Sequence, residues 1–519
     1  VLLVRNRKEF SALGSKCPHY GAPLSKGVLR GERLRCPWHG ACFNIRTGDI
    51  EEYPSLDCIS CFKVTVEDGK VFVTAKKKVL TLPATTGHEQ HLGLRVKDRS
   101  RRCLVNRNTV LLLGGGVAAL VCAETLRQEG FTGRIIMATR EKHVPYDKSK
   151  LSKEMDLKAE DIYLRKPKFL DAQGIEFWTE KEAVSVDFQK QQVHFVDGSS
   201  QKYHQLLIAT GSHSSFLKVP GADLQNVCIL QTPEDSRKIL ELAAGKNLVI
   251  VGASFVGTRL DQASRVPAPA RDTNGTSLQP GAAAVLAAWL LAGHSCFYSS
   301  TAWNFLMNTE TSPFQMLQNK GVKFHMKSEL CELKGKDGKV AEAVLANGEK
   351  LPADVVVVGI GSIPNSAFLK GTSIARDDKG AILVDLHMKT NIPNVFAAGD
   401  VVSFPVALLN GDRSSIHHQQ VAEAHGHFAA LNMLKKEKEL HTVPFFWTTF
   451  FGKSIRYAGC GKGYTDTVVK GSLEQQKFLI FYLRDGHVTA AASLDCDPMV
   501  SLIAEVLYLG KVISKEEAE

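Results

Sequence analysis

The sequence predicts a multidomain chain: an all-β module first, doubly wound α/β domains of the dinucleotide-binding type next, and an α+β domain at the C-terminus. Three observations predict it. Two short Cys/His pairs sit in turns among strand-like runs near the start. Two strand–glycine-turn units open at Thr109 and Asn247. Near the end, runs Phe478–Leu483 and Val488–Leu494 flank Asp485-Gly486, a two-residue hairpin signal, and a helix pattern starts at Pro498. A length of 519 residues fits three or four domains, and 44% hydrophobic with 23% charged residues is ordinary globular composition.

The N-terminal module opens inside a strand pattern (Val1 to Arg5, then Phe10 to Leu13) and without Met, which points to a missing start and any targeting segment with it. Cys17 and His19, then Cys36 and His39, form Cys-x-His followed by Cys-x-x-His. This is the ligand set of a Rieske [2Fe–2S] cluster, with thiolates on one iron and imidazoles on the other. Zinc also takes two Cys and two His, but zinc fingers usually place both histidines on one helix, whereas each loop here supplies one of each. Pro18 and Pro37 stiffen the loops, and Gly21 and Gly40 allow tight turns. High-potential Rieske loops carry an added disulfide and a hydroxyl donor. Ala22, Trp38 and Ala41 stand at the corresponding positions, so a potential nearer about −150 mV than about +300 mV is expected. A hairpin, Phe62–Val66 to Val71–Thr74 around Gly69, closes the module, and Cys58 and Cys61 beside it read as strand packing rather than a redox pair.

Net charge is +10, and part of the excess lies between Arg95 and Arg107, where Lys97, Arg99, Arg101 and Arg102 cluster. No aromatic residues interleave for base stacking, so a solvated interdomain linker is expected rather than a nucleic-acid surface. The twelve cysteines show no secreted-domain spacing and read as iron ligands and reduced intracellular thiols.

Thr109 to Leu113 is an apolar strand, followed by Gly114, Gly116 and Ala119 in a GxGxxA turn and a helix to Glu129. Gly114 makes the turn, Gly116 lets a pyrophosphate approach the helix N-terminus, and Ala119 lets helix and strand pack closely. A second strand, Arg134 to Thr139, leads to Glu141, a ribose-hydroxyl partner. Three further segments point to FAD: Leu206 to Gly211 with Thr210, Val395 to Asp400 with Gly399, and Trp447. Asp400 would meet the ribityl chain, and a helix from near Val421 would aim its N-terminus at the flavin pyrimidine edge.

These segments, with Pro145-Tyr-Asp147, resemble the pyridine-nucleotide–disulfide oxidoreductase superfamily. With the N-terminal module, the chain resembles the apoptosis-inducing-factor-like, Rieske-containing flavoproteins. The resemblance implies that Lys153 lies against the flavin ring, and it implies a mitochondrial location. No Cys occurs from Phe131 to Asp161, so the dithiol relay of the glutathione-reductase branch is excluded. A second turn, Gly252, Ser254 and Gly257, would open the NAD(P)H site. The pattern then breaks: Pro267 and Pro269 end the helix early, Asp272 has no strand before it, and Thr273 to Thr309 carries no Asp, Glu, Lys or Arg. Residues 258–312 therefore read as a replaced segment, which puts nicotinamide binding in doubt. Within it, Ala282–Gly293 reads as a buried helix or an unfolded stretch, too short to span a bilayer.

The expected organisation is a Rieske domain (1–80), a linker (81–108), an FAD domain (109–244 and 364–433), an NAD(P) domain (245–363) and a C-terminal domain (434–519). His417 and His418 read as helix-start residues, with proton relay as the sharper alternative. The leading functional expectation is an oxidoreductase moving electrons between NAD(P)H, FAD and the cluster, then to an unknown acceptor. The alternative is a redox-sensing or pro-apoptotic protein acting through partner binding. A Rieske oxygenase fits poorly, because the rest of the chain is occupied by flavoprotein motifs rather than a mononuclear iron site.

Overall fold

The structure is a computed structural model and describes residues 1–75, 99–252, 283–287, 322–326, 328–450 and 452–519. The N-terminal module is two antiparallel four-stranded sheets. One joins Leu2–Asn6, Glu9–Leu13, Cys61–Glu67 and Lys70–Thr74, and the other joins Val28–Arg30, Arg33–Arg35, Cys42–Asn44 and Ile50–Glu52. Its small core packs Leu13, Leu24, Phe43 and Ile59 around Cys17 and Cys36.

Two parallel five-stranded sheets follow. The first runs in the order Ile175–Trp178, Arg134–Ala138, Thr109–Leu113, Gln205–Ile208, Val395–Ala397. Its central strand, Thr109–Leu113, is buried throughout, as an apolar run in a parallel sheet should be. Helices Val117–Gln128 and Gln419–Met433 pack together on it so closely that a Cβ on Gly426 would lie 2.1 Å from the Ala118 carbonyl oxygen.

The second parallel sheet is Val227–Ile229, Val355–Val358, Leu248–Val251, Ala283–Ala287, Lys323–Met326. Here the expectation for Ala282–Gly293 is corrected over the part of it that the structure describes. Ala283–Ala287 is neither helix nor unfolded but a strand paired on both sides. An apolar run of this length reads the same whether it becomes a core helix or a parallel strand, and two waiting strand edges decide it.

The C-terminal domain is an antiparallel five-stranded sheet, Phe445–Phe450, Lys453–Gly459, His487–Leu494, Lys477–Arg484, Asp466–Ser472, with helix Met499–Tyr508 on one face. The hairpin turns at Asp485 and Gly486, both at positive φ (52° and 77°). The expectation of solvated arginines in the linker holds for Arg101, Arg102 and Arg107, which are exposed, and is corrected for Arg99. Arg99 is buried against Glu124 and lies 4.8 Å over the Phe169 ring, because Glu124 on an otherwise apolar helix face needs a cation.

The N-terminal module is clamped onto the rest of the chain by buried charge. Arg35 donates to Glu505 (2.9 Å), to Glu52 and to the Gly40 carbonyl (2.9 Å). Arg33 adds Glu505 (2.7 Å) and Glu51 (2.8 Å), with its guanidinium 3.8 Å over the Tyr508 ring. The other oxygen of Glu52 accepts from Thr442 and the Val443 amide, both at 3.1 Å. Losing one partner strands the other charges out of water. Arg35→Ala is therefore expected to cost about 3–5 kcal/mol in denaturant unfolding. Arg46→Ala, which removes an exposed pairing with Glu9 and Glu32, should cost about 0–1 kcal/mol. Equal losses would show that the clamp is not what holds the modules.

Candidate functional site

The two Cys/His loops share one geometry. The Cys17 amide donates to Ala22 (2.9 Å) and the Cys36 amide to Ala41 (2.7 Å). Gly21 and Gly40 sit at matching positions with φ of 75° and 77°. Each loop thereby points a sulfur and an imidazole the same way. The two sulfurs lie in hydrogen-bond contact, and the Nδ1 atoms of His19 and His39 are 3.0 Å apart. Two nitrogens about 2.1 Å from one metal ion would have such a spacing. Burial and the neighbouring Cys36 sulfur push the Cys17 thiol well up. At Cys36 burial acts the same way, but the Cys17 hydrogen bond and the amides of His39 and Trp38 outweigh it and bring the thiol down. Burial, then the neighbouring His19, pushes His39 well down, leaving its ring neutral.

The arrangement is two pairs rather than one cage. The Cys17 and Cys36 sulfurs contact each other, and the His19 and His39 Nδ1 atoms contact each other. A lone tetrahedral zinc needs four converging donors, whereas two irons bridged by sulfide need a sulfur pair and a nitrogen pair. The donor set thus fits the cluster. Buried Ala22 and Ala41 place no side-chain hydrogen-bond donor beside it.

The larger cradle is a cavity of about 490 Å³ between the two parallel sheets and the C-terminal sheet. Gly114, Gly116, Glu141, Lys153 and Thr210 line it, as do Gly211, Gly399, Asp400 and Trp447. Ala119 does not: it is fully buried in the core beneath the turn, a packing position. A Cβ on Gly114 would lie 2.1 Å from the Ala209 carbonyl oxygen, so that glycine is required by the crossing of two strands. A Cβ on Gly116 would meet nothing within 4 Å, and it would occupy the space a pyrophosphate needs at the N-terminus of Val117–Gln128. Glu141 accepts from Tyr146 (2.8 Å) and pairs with Lys148 (3.3 Å). Thr210 and Asn365 are cross-linked by hydrogen bonds of 2.7 and 2.9 Å, which fixes the turn at Gly211. Gly399 donates its amide to His425 (3.3 Å), whose burial pushes it down to about 3 and keeps it a neutral acceptor. Asp400 accepts from Ser212 at 3.3 Å. Shape and donor set fit an extended dinucleotide.

On the nicotinamide side, Gly252 ends strand Leu248–Val251 with φ 111°, and a Cβ there would lie 2.3 Å from the Gly359 carbonyl oxygen. Ser254 and Gly257 lie outside the described residues. Strand Ala283–Ala287 runs beside Leu248–Val251, where a ribose-reading acid or base would be expected at the strand's end, but Ala288 and Trp289 follow it.

The sequence places neither cradle relative to the other. Trp447 joins them. It lines the larger cavity and also stacks on His39, with ring centroids 4.6 Å apart and planes 26° from parallel. His19 meets its edge at 5.4 Å and His418 at 4.7 Å. His418 caps helix Gln419–Met433, accepting from the Gln420 amide at 3.4 Å, while His417 contacts Ser362 at 2.9 Å. A second tie is Tyr20, which donates to Asp147 at 2.5 Å. Gln419 lines the larger cavity and also a small one of about 40 Å³ beside His19, where it donates to Glu423 at 3.0 Å. Glu423 was missed in the sequence. A carboxylate inside Val421-Ala-Glu423-Ala was the available signal, on a helix otherwise apolar there.

The chain matches the family described as pyridine nucleotide-disulphide oxidoreductase over residues 108–265 and 304–426. It matches the Rieske [2Fe-2S] domain over residues 1–63 and the reductase C-terminal family over residues 445–518. The gap in the first match falls inside the stretch where the sequence pattern breaks. Apoptosis-inducing factor 3 of Homo sapiens is 44% identical over 520 residues, covering 100% of this chain and 82% of the relative. The ferredoxin–NAD(+) reductase component of the biphenyl dioxygenase system of Paraburkholderia xenovorans is 28% identical, covering 79% of this chain and 96% of that protein. A solved ferredoxin reductase from Rhodopseudomonas palustris superposes with a TM-score of 0.69 at 25% identity, over 79% of this chain and 97% of that one. Among the described residues no helix is long and apolar enough to cross a membrane.

Burial pushes the Glu423 carboxyl up to about 8 from an ordinary 4.5, and its Oε2 has no partner among the described residues. An acid whose folded value is raised binds more protons folded than unfolded. Wild-type stability therefore falls as pH rises from 4.5 to about 8 and levels off above that. Glu423→Gln should be the more stable form at about pH 9, by a few kcal/mol, with the gap closing towards about pH 5. Melting temperatures across that range check it, and a gap independent of pH would show that the carboxyl is not ionising there.

Proposed function

Because the chain belongs to the pyridine nucleotide-disulphide oxidoreductase family and carries a Rieske [2Fe-2S] domain ahead of it, we propose that it passes electrons from NAD(P)H through FAD to the Rieske cluster, and from there to a separate acceptor. Bound flavin takes a hydride and gives up single electrons, and a Rieske cluster takes one electron at a time. Cys17 and Cys36 would hold one iron, and His19 and His39 the other. Gly114 and Gly116 would cradle the pyrophosphate, Glu141 the ribose and Asp400 the ribityl chain. Thr210, Gly211 and Gly399 would shape the turns around the ring, with Lys153 against it. Ala119 supports the turn from the core. Gly252, Ser254 and Gly257 would form the turn for NAD(P)H. The relative named as a ferredoxin–NAD(+) reductase component joins the same two partners in its name; here the iron–sulfur module is part of the chain.

The observation that carries this reading is Trp447, one ring that forms a wall of the flavin-sized cavity and stacks on His39, which this reading makes an iron ligand. Both residues of the stack are buried, and it would hold the two centres at a fixed separation. An anaerobic titration with NADH or NADPH should bleach the flavin first and then raise a Rieske EPR signal. In stopped flow, Trp447→Ala should slow the cluster step more than the flavin step. Reduction by dithionite but by neither nicotinamide would remove NAD(P)H from the scheme.

The full-length relative's name favours a second reading, in which the protein promotes cell death through partner binding and acts in mitochondria. Cys36→Ser separates the two when expressed in cells whose fractionation reports the compartment. Death that persists without the cluster makes electron transfer dispensable to it, and death that is lost makes the cluster the effector.

A further inference from the structure

We infer that Arg456, on the C-terminal sheet, is the fixed charge that sets the potential of the cluster in the N-terminal module. The inference rests on the reading that Cys17, His19, Cys36 and His39 hold a Rieske cluster.

Arg456 stands opposite Trp447 in the antiparallel register of Phe445–Phe450 and Lys453–Gly459, so both side chains rise from the same face of the sheet. That face receives the cluster loop. Trp447 stacks on His39 there, and a Cβ on Gly40 would lie 2.6 Å from the Phe445 ring. The next residues along, Ile455 and Tyr457, face the other way into a separate core.

Arg456 is 4% exposed, and its guanidinium is incompletely satisfied. It donates to the Thr448 carbonyl (3.2 Å), to its neighbour's carbonyl (3.1 Å) and to Asp497 (3.2 Å), and Nε has no partner among the described residues. Asp497, the counter-charge, is partly open to solvent, which screens it, while the arginine is not. The positive charge therefore stands beside the ring that packs on His39, on the face that receives the loop.

An oxidised Rieske cluster with two thiolates is neutral overall, and reduction adds one negative charge at the same place. A buried cation that cannot be deprotonated stabilises that added charge without moving and without taking up a proton. The loops offer no hydroxyl donor at Ala41, and Ala22 is equally mute. Arg456 supplies from a different domain the favourable field that the loops themselves lack. Arg456 is thus a positioning residue for charge, acting through space on the cluster. Only the docked arrangement delivers it, so the N-terminal module alone would be harder to reduce than the whole chain.

The test is EPR-monitored redox titration of the full-length holoprotein. Arg456→Met should lower the ratio of reduced to oxidised cluster at a given poise by about tenfold, equivalent to about 59 mV for one electron, with the g-values retained. Arg456→Lys should keep most of the wild-type ratio. Asp497→Asn, which removes the counter-charge, should raise it. An unchanged ratio in Arg456→Met, or a fall in Arg456→Lys as large as in Arg456→Met, overturns the assignment. If Arg456→Met does not take up a cluster, the other two variants decide: a rise in Asp497→Asn with the ratio kept in Arg456→Lys supports it, and a fall or no change in Asp497→Asn overturns it. Failure of the underlying reading looks different, because the wild type itself would then show no Rieske signal.

Discussion

Everything that makes this chain one functional unit depends on the closure of the loop Cys36–Gly40 against the C-terminal sheet. The contact is made by rings, with His39 stacked on Trp447 and Phe445 under Gly40, and it tolerates no spare atoms. Such a fit would be marginal if only apolar area held it. Here the same loop is pinned by buried polar bonds: Arg35 to the Gly40 carbonyl, and Ser501 to the Cys36 carbonyl at 3.0 Å. A buried ion network is weak evidence for net stability, since desolvation offsets much of its Coulomb gain. What it supplies is a single geometry, because any other docking would leave buried Glu505 without Arg33 and Arg35, and the second Glu52 oxygen without Thr442 and the Val443 amide.

A fixed docking changes what the protein has to accomplish. When two redox centres meet by diffusion, the encounter sets both geometry and timing. Here the aromatic wall of one cradle is the packing surface of the other, so neither can shift without disturbing its partner. The Tyr20–Asp147 bond repeats the coupling on the far side, since Asp147 begins the segment that carries Lys153 into the larger cavity. The module's two imidazoles also differ: His39 is covered, and His19 retains more exposure. Both rings nevertheless meet the tryptophan, His39 by its face and His19 at the edge.

The legible parts of the sequence were those in which chemistry constrains local spacing. Cys-x-His and Cys-x-x-His need two matching turns, and those turns are there. The glycine turn at Gly114 has to avoid a carbonyl, and only glycine does so. Strand and helix bounds fell within a residue or two because apolar runs and turn residues mark them. What could not be read is contact between distant segments. Nothing in the order of residues says that Trp447 meets His39, or that Arg456 lies on the same face. Arg456 carries no signal of its own in the run Lys453–Gly459, and its meaning depends on a register that pairs it with Trp447. Ala283–Ala287 was misread for a related reason: whether an apolar pentapeptide becomes a strand is settled by neighbours tens of residues away. Arg99 was misread because its partner, Glu124, is on another element.

Burial of two centres in one interior raises a problem of charge that the surrounding residues divide between them. An electron entering a low-dielectric region needs compensation, either from a cation already present or from a proton that moves. Both kinds of residue line this region. Arg456 is a permanent cation, and its charge does not depend on pH. Glu423, one helical turn behind the cap of the flavin-side helix, is held mostly neutral at neutral pH and so adds no competing negative charge beside His19. His425 is likewise held neutral, as an acceptor for the Gly399 amide. A permanent cation on one side and neutralised acids and bases on the other leave a field that favours reduction of the cluster. That field arises only when three separate stretches of the chain close on one another, which ties the electrostatics of the redox centre to the folding of the whole molecule.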